Sequence, residues 1–460
     1  MSRYFTTESE KNAIPLQLIP TKTYDTFVKD QNDTTRNLMT LNKFTAKPGQ
    51  LCLITNEQGE LARVLVGVKD FEDRWAIGDL PYVLPDATYA IESDITLYQH
   101  EQFSIVWGLG CYRFTKYKKS DRTPSQLHLK EGLDHELLNE IVDALCWVRD
   151  LINTPNGDMH PETLAKEAEL LGERFGAHVQ EIVGDDLLKE NYPLIHAVGR
   201  SSQHAPRLID IRWGDANHPK ITLVGKGVCF DSGGYDMKSA RGMALMKKDM
   251  GGAAHVLGLA HLIMRHKLPI NLRVLIPAVE NLVSSNAYIP GDVYTARSGK
   301  TVEITNTDAE GRIVMADAIT AAIEEKPDLL IVMATLTGAA RIAMGTDIAA
   351  MFTPDDKLAD ELVQHGEKVH DHVWRLPLFK PYLKALDSHI ADIKNSADTG
   401  YGGATVAALF LQEFIGEDTP FVHFDIMAYN NVHRAARPKG GEAMAIRAIY
   451  HYLVEKYPQT

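Results

Sequence analysis

Apolar residues fall into two rhythms along the chain, and the rhythm changes about a third of the way through. The first part carries strand-like runs, "LCLITN" and "RVLVGV", separated by the turn-prone "EQGELA". A polar stretch, Lys116 to Gly132, follows and reads as a linker. In "DHELLNEIVDALCWVRDLINTP", Leu137, Leu138, Ile141, Val142, Leu145, Val148 and Ile152 recur at helical spacing. Asp134 is placed to cap this helix, and Pro155 follows its end. Beyond residue 150 the pattern becomes strands alternating with helices. "KITLVGKGV", "LRVLIPAVE", "DLLIVMATL" and "FVHFDIMA" are almost continuously apolar, as buried parallel strands are. "GGAAHVLGLAHLIMRH", "GGATVAALFLQEFI" and "EAMAIRAIYHYLVEKY" read as helices between or after them. The pattern predicts an α/β fold. A smaller N-terminal α/β domain spans 1–125, a linker and connecting helix 126–155, and a larger C-terminal domain 156–460. Its central sheet is mostly parallel and flanked by helices. Ligands of such sheets bind at the carboxyl ends of the strands.

Composition narrows the classes of partner. The 460 residues are 45% hydrophobic and 24% charged, ordinary for globular domains. A formal net charge of −13 makes nucleic acid and anionic membranes unexpected partners. No apolar run reaches the length of a membrane span. The first twenty residues lack a basic segment followed by an apolar one, so no signal peptide is expected. Cys52, Cys111, Cys146 and Cys229 are widely spaced and form no CxxC, which fits a reducing cytoplasm.

The charges that matter lie at predicted strand ends. In "ITNTDAEGRIVMADA", Asp308, Glu310 and Arg312 alternate with small residues. An extended chain would put all three on one face, suited to holding a cation beside an anion. In "VGKGVCFDSGGYDMKSARGMALMKKDMGGAA", Lys226 and Asp231 bracket a strand end. Lys238 sits in a Gly-rich loop, and Asp249 precedes a predicted helix. Four carboxylates with few histidines suit hard divalent cations, and they carry more charge than one ion balances. Two rival motifs fail. Met237 precedes Lys238 where a phosphate-binding loop needs Gly, and Phe230 replaces the third glycine of a dinucleotide fingerprint. Asp249 alone could equally serve a helix N-terminus, and His423 and Asp425 read as structural residues at the last strand's end. The carboxylates by themselves also permit a two-metal phosphoesterase.

"NTDAEGR", "GKGVCFDSGG" and "MKKDMGGAA", with "LINTPNGDMHPETLA", "ATLTGAARIAMG", "HIADIKN" and "HFDIMA", resemble the leucyl (cytosol) aminopeptidases, the M17 di-metal exopeptidases. The resemblance covers residue 150 to the end. It implies two divalent ions per subunit, Zn or Mn with Co or Mg as alternatives. Lys226, Asp231, Asp249 and Glu310 would form the tighter site. Asp231, Asp308 and Glu310 would form the more exchangeable one. Lys226 would ligate as a neutral amine. Lys238 would polarise the scissile carbonyl, and Arg312, helped by main-chain groups near Leu336, would hold a bicarbonate that accepts the proton of the attacking water. Met246, Thr335 and Gly338 would line a neutral pocket for the first side chain of a peptide with a free N-terminus. A cytoplasmic homohexamer is implied, and a non-catalytic scaffold within the same family is the alternative. Two positions depart from the family pattern: Met427 follows "HFDI" where a small residue is usual, and Asp236 adds a charge before Lys238.

Overall fold

The structure is a computed structural model that describes residues 4–7 and 13–459. It divides into two compact units. The first comprises residues up to Cys146 together with Asn431–Lys439, and the second comprises Trp147–Asn430 and Gly440 onward.

In the first unit, strands β1 (Phe5–Thr6), β2 (Ile14–Pro20), β3 (Leu51–Thr55), β4 (Leu61–Val68), β5 (Thr88–Ile91) and β6 (Gln126–His128) form one sheet in the order β1-β6-β5-β2-β4-β3. All its pairings are parallel except β3 with β4. The polar stretch 116–132 therefore contains a strand: Leu127 is buried beside Tyr89, and the backbone of β6 is held on both sides. A three-residue strand is too short for its single inward side chain to show as alternation. The next helix is His135–Asn153, and Asp134 caps it by accepting from the Leu137 N–H at 2.9 Å.

In the second unit, β7 (His178–Val183), β8 (Arg207–Trp213), β9 (Lys220–Gly225), β10 (Gly227–Asp231), β11 (Asn271–Asn281), β14 (Leu329–Ala334), β15 (Ala349–Phe352), β16 (Val373–Arg375) and β18 (Phe421–Asp425) make a nine-stranded sheet. The short strands β12 (Val293–Thr295), β13 (Thr301–Glu303) and β17 (Ile393–Lys394) form a separate sheet. The centre of the large sheet, β18-β14-β9-β11, is parallel, while β7, β8 and β15 pair antiparallel towards the edges. Every residue of β14 and β18 is buried, which is why these strands read as unbroken apolar runs. The helices Glu310–Ile323 and Gly403–Ile415 share one apolar cluster with Val224, Leu275, Leu330 and Val332 of the sheet. Helix Gly251–Arg265 is buried along nearly its whole length. It approaches so closely that a Cβ on Gly252 would stand 2.2 Å from the Met333 carbonyl oxygen.

Near its end the chain leaves the second unit. Tyr429 and Asn430 pair with Gly441 and Gly440, and this two-residue ladder closes the base of a finger, 431–439, that belongs to the first unit. There the Arg437 guanidinium lies 4.1 Å from the Trp75 ring centroid, and His433 stands 3.2 Å from Asp79. Gly78 has no room for a side chain beside Ala436.

Candidate metal centre

Because β9, β10, β14 and β18 share a direction, their carboxyl ends deliver Lys226, Asp231, Thr335 and Asp425 to one edge of the sheet. Lys226 breaks what reads in sequence as one strand. Its N–H donates to the Met333 carbonyl at 3.0 Å, and pairing then resumes in β10 against β11. Asp249 arrives on a short turn, Met246–Met250, immediately before helix Gly251–Arg265.

Asp308, Glu310 and Arg312 do not lie on an extended chain. Asp308 sits in the 3-10 turn Thr307–Ala309, and Glu310 opens the helix Glu310–Ile323 that also carries Arg312. The Asn306 side chain accepts from the Asp308 N–H at 2.8 Å and starts that turn. Tertiary anchoring outweighs the alternating pattern. Asn395 takes the Thr305 N–H and gives its amide to the Asn306 carbonyl, and the Asp236 carboxylate accepts from the Thr307 N–H at 2.8 Å. Asp236, although exposed, thus ties two loops together.

The small residues of the motif follow from this geometry. A Cβ on Gly311 would stand 2.6 Å from Lys226 Nζ, so only glycine lets the lysine pass the first turn of the helix. Lys226 Nζ reaches Asp249 Oδ2 at 2.7 Å and Glu310 Oε1 at 2.9 Å. Lys238 Nζ pairs with Asp231 Oδ2 at 2.7 Å and with Asp308. Asp231, Asp249 and Glu310 each bring one oxygen within 4.8 Å of the others, and all three are buried.

These charges oppose one another. Burial, and then repulsion by Asp249, pushes the Asp231 carboxyl up to about 6. Burial and Asp231 push Glu310 up to about 8. Burial alone would depress Lys226, but Asp249, Glu310 and Asp231 outweigh it and hold the ammonium above its usual range. Lys238 is raised in the same way against burial, chiefly by Asp231. Glu310 Oε2 is buried and meets no donor. Four carboxylates against two ammonium groups leave a net negative cluster that includes this bare oxygen. Hard divalent cations fit this donor set, since burial of unpaired charge is costly and a cation relieves it.

A second layer of residues fixes the first; of these, motif reading missed Asn281 and Tyr288. The Asn281 amide donates to Asp231 Oδ1 at 2.8 Å and to the Thr307 carbonyl at 3.0 Å. The Tyr288 hydroxyl donates to the same carbonyl at 2.7 Å. The Thr335 hydroxyl donates to Asp249 Oδ1 at 2.8 Å, so this residue orients a carboxylate. Asp425 accepts from the N–H groups of Leu336 and Thr337 at 3.0 and 3.1 Å and holds the loop after β14. His423 is buried in β18 with Nδ1 near the Val332 carbonyl, in keeping with a structural role. The Leu336 N–H is thereby engaged with Asp425. Arg312 donates from Nη1 to the Asn395 carbonyl at 2.9 Å, while its buried Nε has no acceptor. Burial lowers this guanidinium to about 10. Met246 and Met427 are buried. The exposed Arg341 brings Nη1 3.7 Å from Met427 Sδ and Nη2 3.4 Å from where a Cβ on Gly338 would be. The Gly338 wall, read as neutral from its sequence, therefore has a cation beside it.

Comparison with known proteins fits this arrangement. Residues 146–450 match the catalytic domain of the cytosol aminopeptidase family, and residues 14–130 match the M17 aminopeptidase N-terminal domain. A probable cytosol aminopeptidase of Shewanella oneidensis is 39% identical over 76% of this chain and 72% of its own length. A cytosol aminopeptidase structure from Coxiella burnetii is 46% identical, with a TM-score of 0.94 over 98% of this chain and 99% of that one. The bottromycin maturation enzyme BotP, solved in complex with Mn, is 30% identical with a TM-score of 0.87, over 97% of this chain and 100% of that one. With both its catalytic and its N-terminal parts matched, the chain belongs to the cytosol aminopeptidase family, M17, and is a metal-dependent aminopeptidase.

Proposed function

We propose that the protein removes N-terminal residues from peptides with two divalent cations. Lys226, Asp231, Asp249 and Glu310 would hold one ion, and Asp231, Asp308 and Glu310 the other. The observation that carries this reading is the convergence of four carboxylates on Lys226 and Lys238 around a buried oxygen of Glu310 that has no donor. Manganese in the related BotP makes Mn a candidate beside Zn, with Co and Mg as alternatives. When bound, two such ions lower the pKa of water towards neutrality and stabilise charge developing in a hydrolytic transition state.

The chain's own groups do the rest. Lys238 lies at the mouth of the cluster, partly exposed, and its ammonium would donate to the scissile carbonyl oxygen as negative charge builds there. Asn281 and Thr335 keep Asp231 and Asp249 in place, so the site is set before substrate arrives. Arg312 would offer its Nε to a planar anion; bicarbonate is our assignment for it, and it would supply a base for the proton that water releases. With the Leu336 N–H donating to Asp425, Arg312 would supply the main contacts to that anion. Peptides with a free amine are the substrates. The relatives' names and the few, widely spaced cysteines support a cytoplasmic setting, and among the described residues no helix is long and apolar enough to cross a membrane.

Mutation separates the roles. Asp231→Asn and Glu310→Gln are expected to lose bound metal and leucine-amide hydrolysis together. Lys238→Ala is expected to keep its metal while turnover falls on the order of 10²–10³. Near-normal turnover in either carboxylate variant would defeat the two-ion assignment. Hydrolysis of p-nitrophenyl phosphate in preference to leucine p-nitroanilide would favour the phosphoesterase instead.

A further inference from the structure

Away from the carboxylate centre, helix Asp356–Lys368 packs against the last helix, Ile446–Lys456, and the two present donors to each other. His365 Nδ1 faces His451 Nδ1 at 2.6 Å. Glu455 stands one turn beyond His451, on the same face of its helix. One nitrogen from each ring and one Glu455 oxygen all lie within 4.8 Å of one another. His365 is buried, His451 half-buried and Glu455 exposed, so the cluster opens to solvent on one side.

We propose that His365, His451 and Glu455 form a binding site for one zinc-type dication, independent of the catalytic centre, that fastens the C-terminal helix to helix Asp356–Lys368. Two imidazoles and one carboxylate with an open fourth position are a borderline-soft donor set that suits zinc and disfavours magnesium or calcium. The catalytic cluster differs in kind, being built of oxygens and amines. Two neutral rings that face each other through Nδ1 have room for only one proton between them, whereas a dication uses both lone pairs.

The groups around the cluster agree with this. Both rings are lowered from their usual range, chiefly by burial, which keeps them in the neutral form a metal needs. Lys368 pairs with Glu455 at 3.6 Å, both largely exposed; such a pair is weak, and a dication displaces it readily. Nitrogens sharing a tetrahedral zinc stand about 3.3 Å apart, given Zn–N bonds of 2.0–2.1 Å. The rings must therefore part by less than 1 Å, within reach of small side-chain rotations. The alternative is a plain N–H···N hydrogen bond between the rings with no affinity for metal.

Zinc titration against a competing chelator decides between them. The full-length protein carrying Asp231→Asn and Glu310→Gln serves as background, so that the catalytic ions do not dominate the count. One equivalent of zinc is expected to remain in that background and to vanish when His365→Gln and His451→Gln are added. Zinc should also raise the unfolding temperature by a few degrees only when the two histidines are present. Glu455→Gln, at an exposed position that leaves folding intact, should weaken zinc binding at least tenfold. Equal zinc content with and without the histidines, or unchanged affinity in Glu455→Gln, would overturn the proposal. A catalytic centre that held no metal at all would leave this result untouched.

Discussion

Arg341 is a residue whose weight only the structure reveals. Its guanidinium stands beside Gly338 and Met427, next to the positions we assign to the substrate's first side chain. A cationic side chain entering there meets a fixed positive charge, while leucine and methionine meet buried methionines. Leucine and methionine amides are expected to exceed lysine and arginine amides by at least tenfold in kcat/KM, about 1.4 kcal/mol of transition-state binding. Arg341→Ala should narrow that gap, and a kinetic panel under one metal condition measures both. Lysine leading leucine in the native protein would show that the pocket lies elsewhere. At this scale the charged site was legible, because Asp308, Glu310, Lys226, Asp231, Lys238 and Asp249 crowd into two short stretches. Asn281 and Tyr288 were not. Each is a common residue in an unremarkable stretch, and its role exists only through partners far away in the chain, such as Asn281 with Asp231.

Elements were legible where burial is uniform. β9, β11, β14 and β18 show it, and so does helix Gly251–Arg265. The segment from Asp308 was misread as extended, because alternation of charged and small residues follows here from packing around Lys226 and not from strand geometry. Gly311→Ala tests that account. Lys226 is flexible at its far end, so the fold should survive while the displaced amine leaves Asp249 and Glu310. Bound metal and turnover should fall at least tenfold with an unchanged circular dichroism spectrum, and normal metal content would refute the explanation. The helix Gly251–Arg265 also carries an acid-sensitive joint. His255 is fully buried, with Nδ1 2.6 Å from the Gly251 carbonyl and Nε2 accepting the Met444 N–H at 2.9 Å. The second bond needs the neutral ring, and burial lowers its pKa to about 4. The unfolded value is near 6.5. Its stabilisation is therefore complete above about pH 6.5 and is lost as pH falls towards 4, with a slope of about 1.4 kcal/mol per pH unit. His255→Gln should remove that slope from urea-unfolding curves, and an identical acid limb in both proteins would contradict it.

For the molecule as a whole, the family resemblance leads us to propose a homohexamer. Trp374, Phe379, Tyr382, Ile390 and Tyr401 are large apolar side chains left exposed within one stretch of the second unit. We propose that these side chains contribute to the contacts between subunits. Light scattering is expected to report six chains, and a monomer at micromolar concentration would refute the assembly. The finger 431–439 carries a different consequence, for the order in which the protein matures. The first unit looks like an N-terminal domain that could finish folding as it leaves the ribosome. Yet the partners of Trp75, Gly78 and Asp79 are encoded more than 350 positions later. Until nearly the whole polypeptide has been synthesised, that surface waits without its cover, so the first unit is completed only after most of the second has been made.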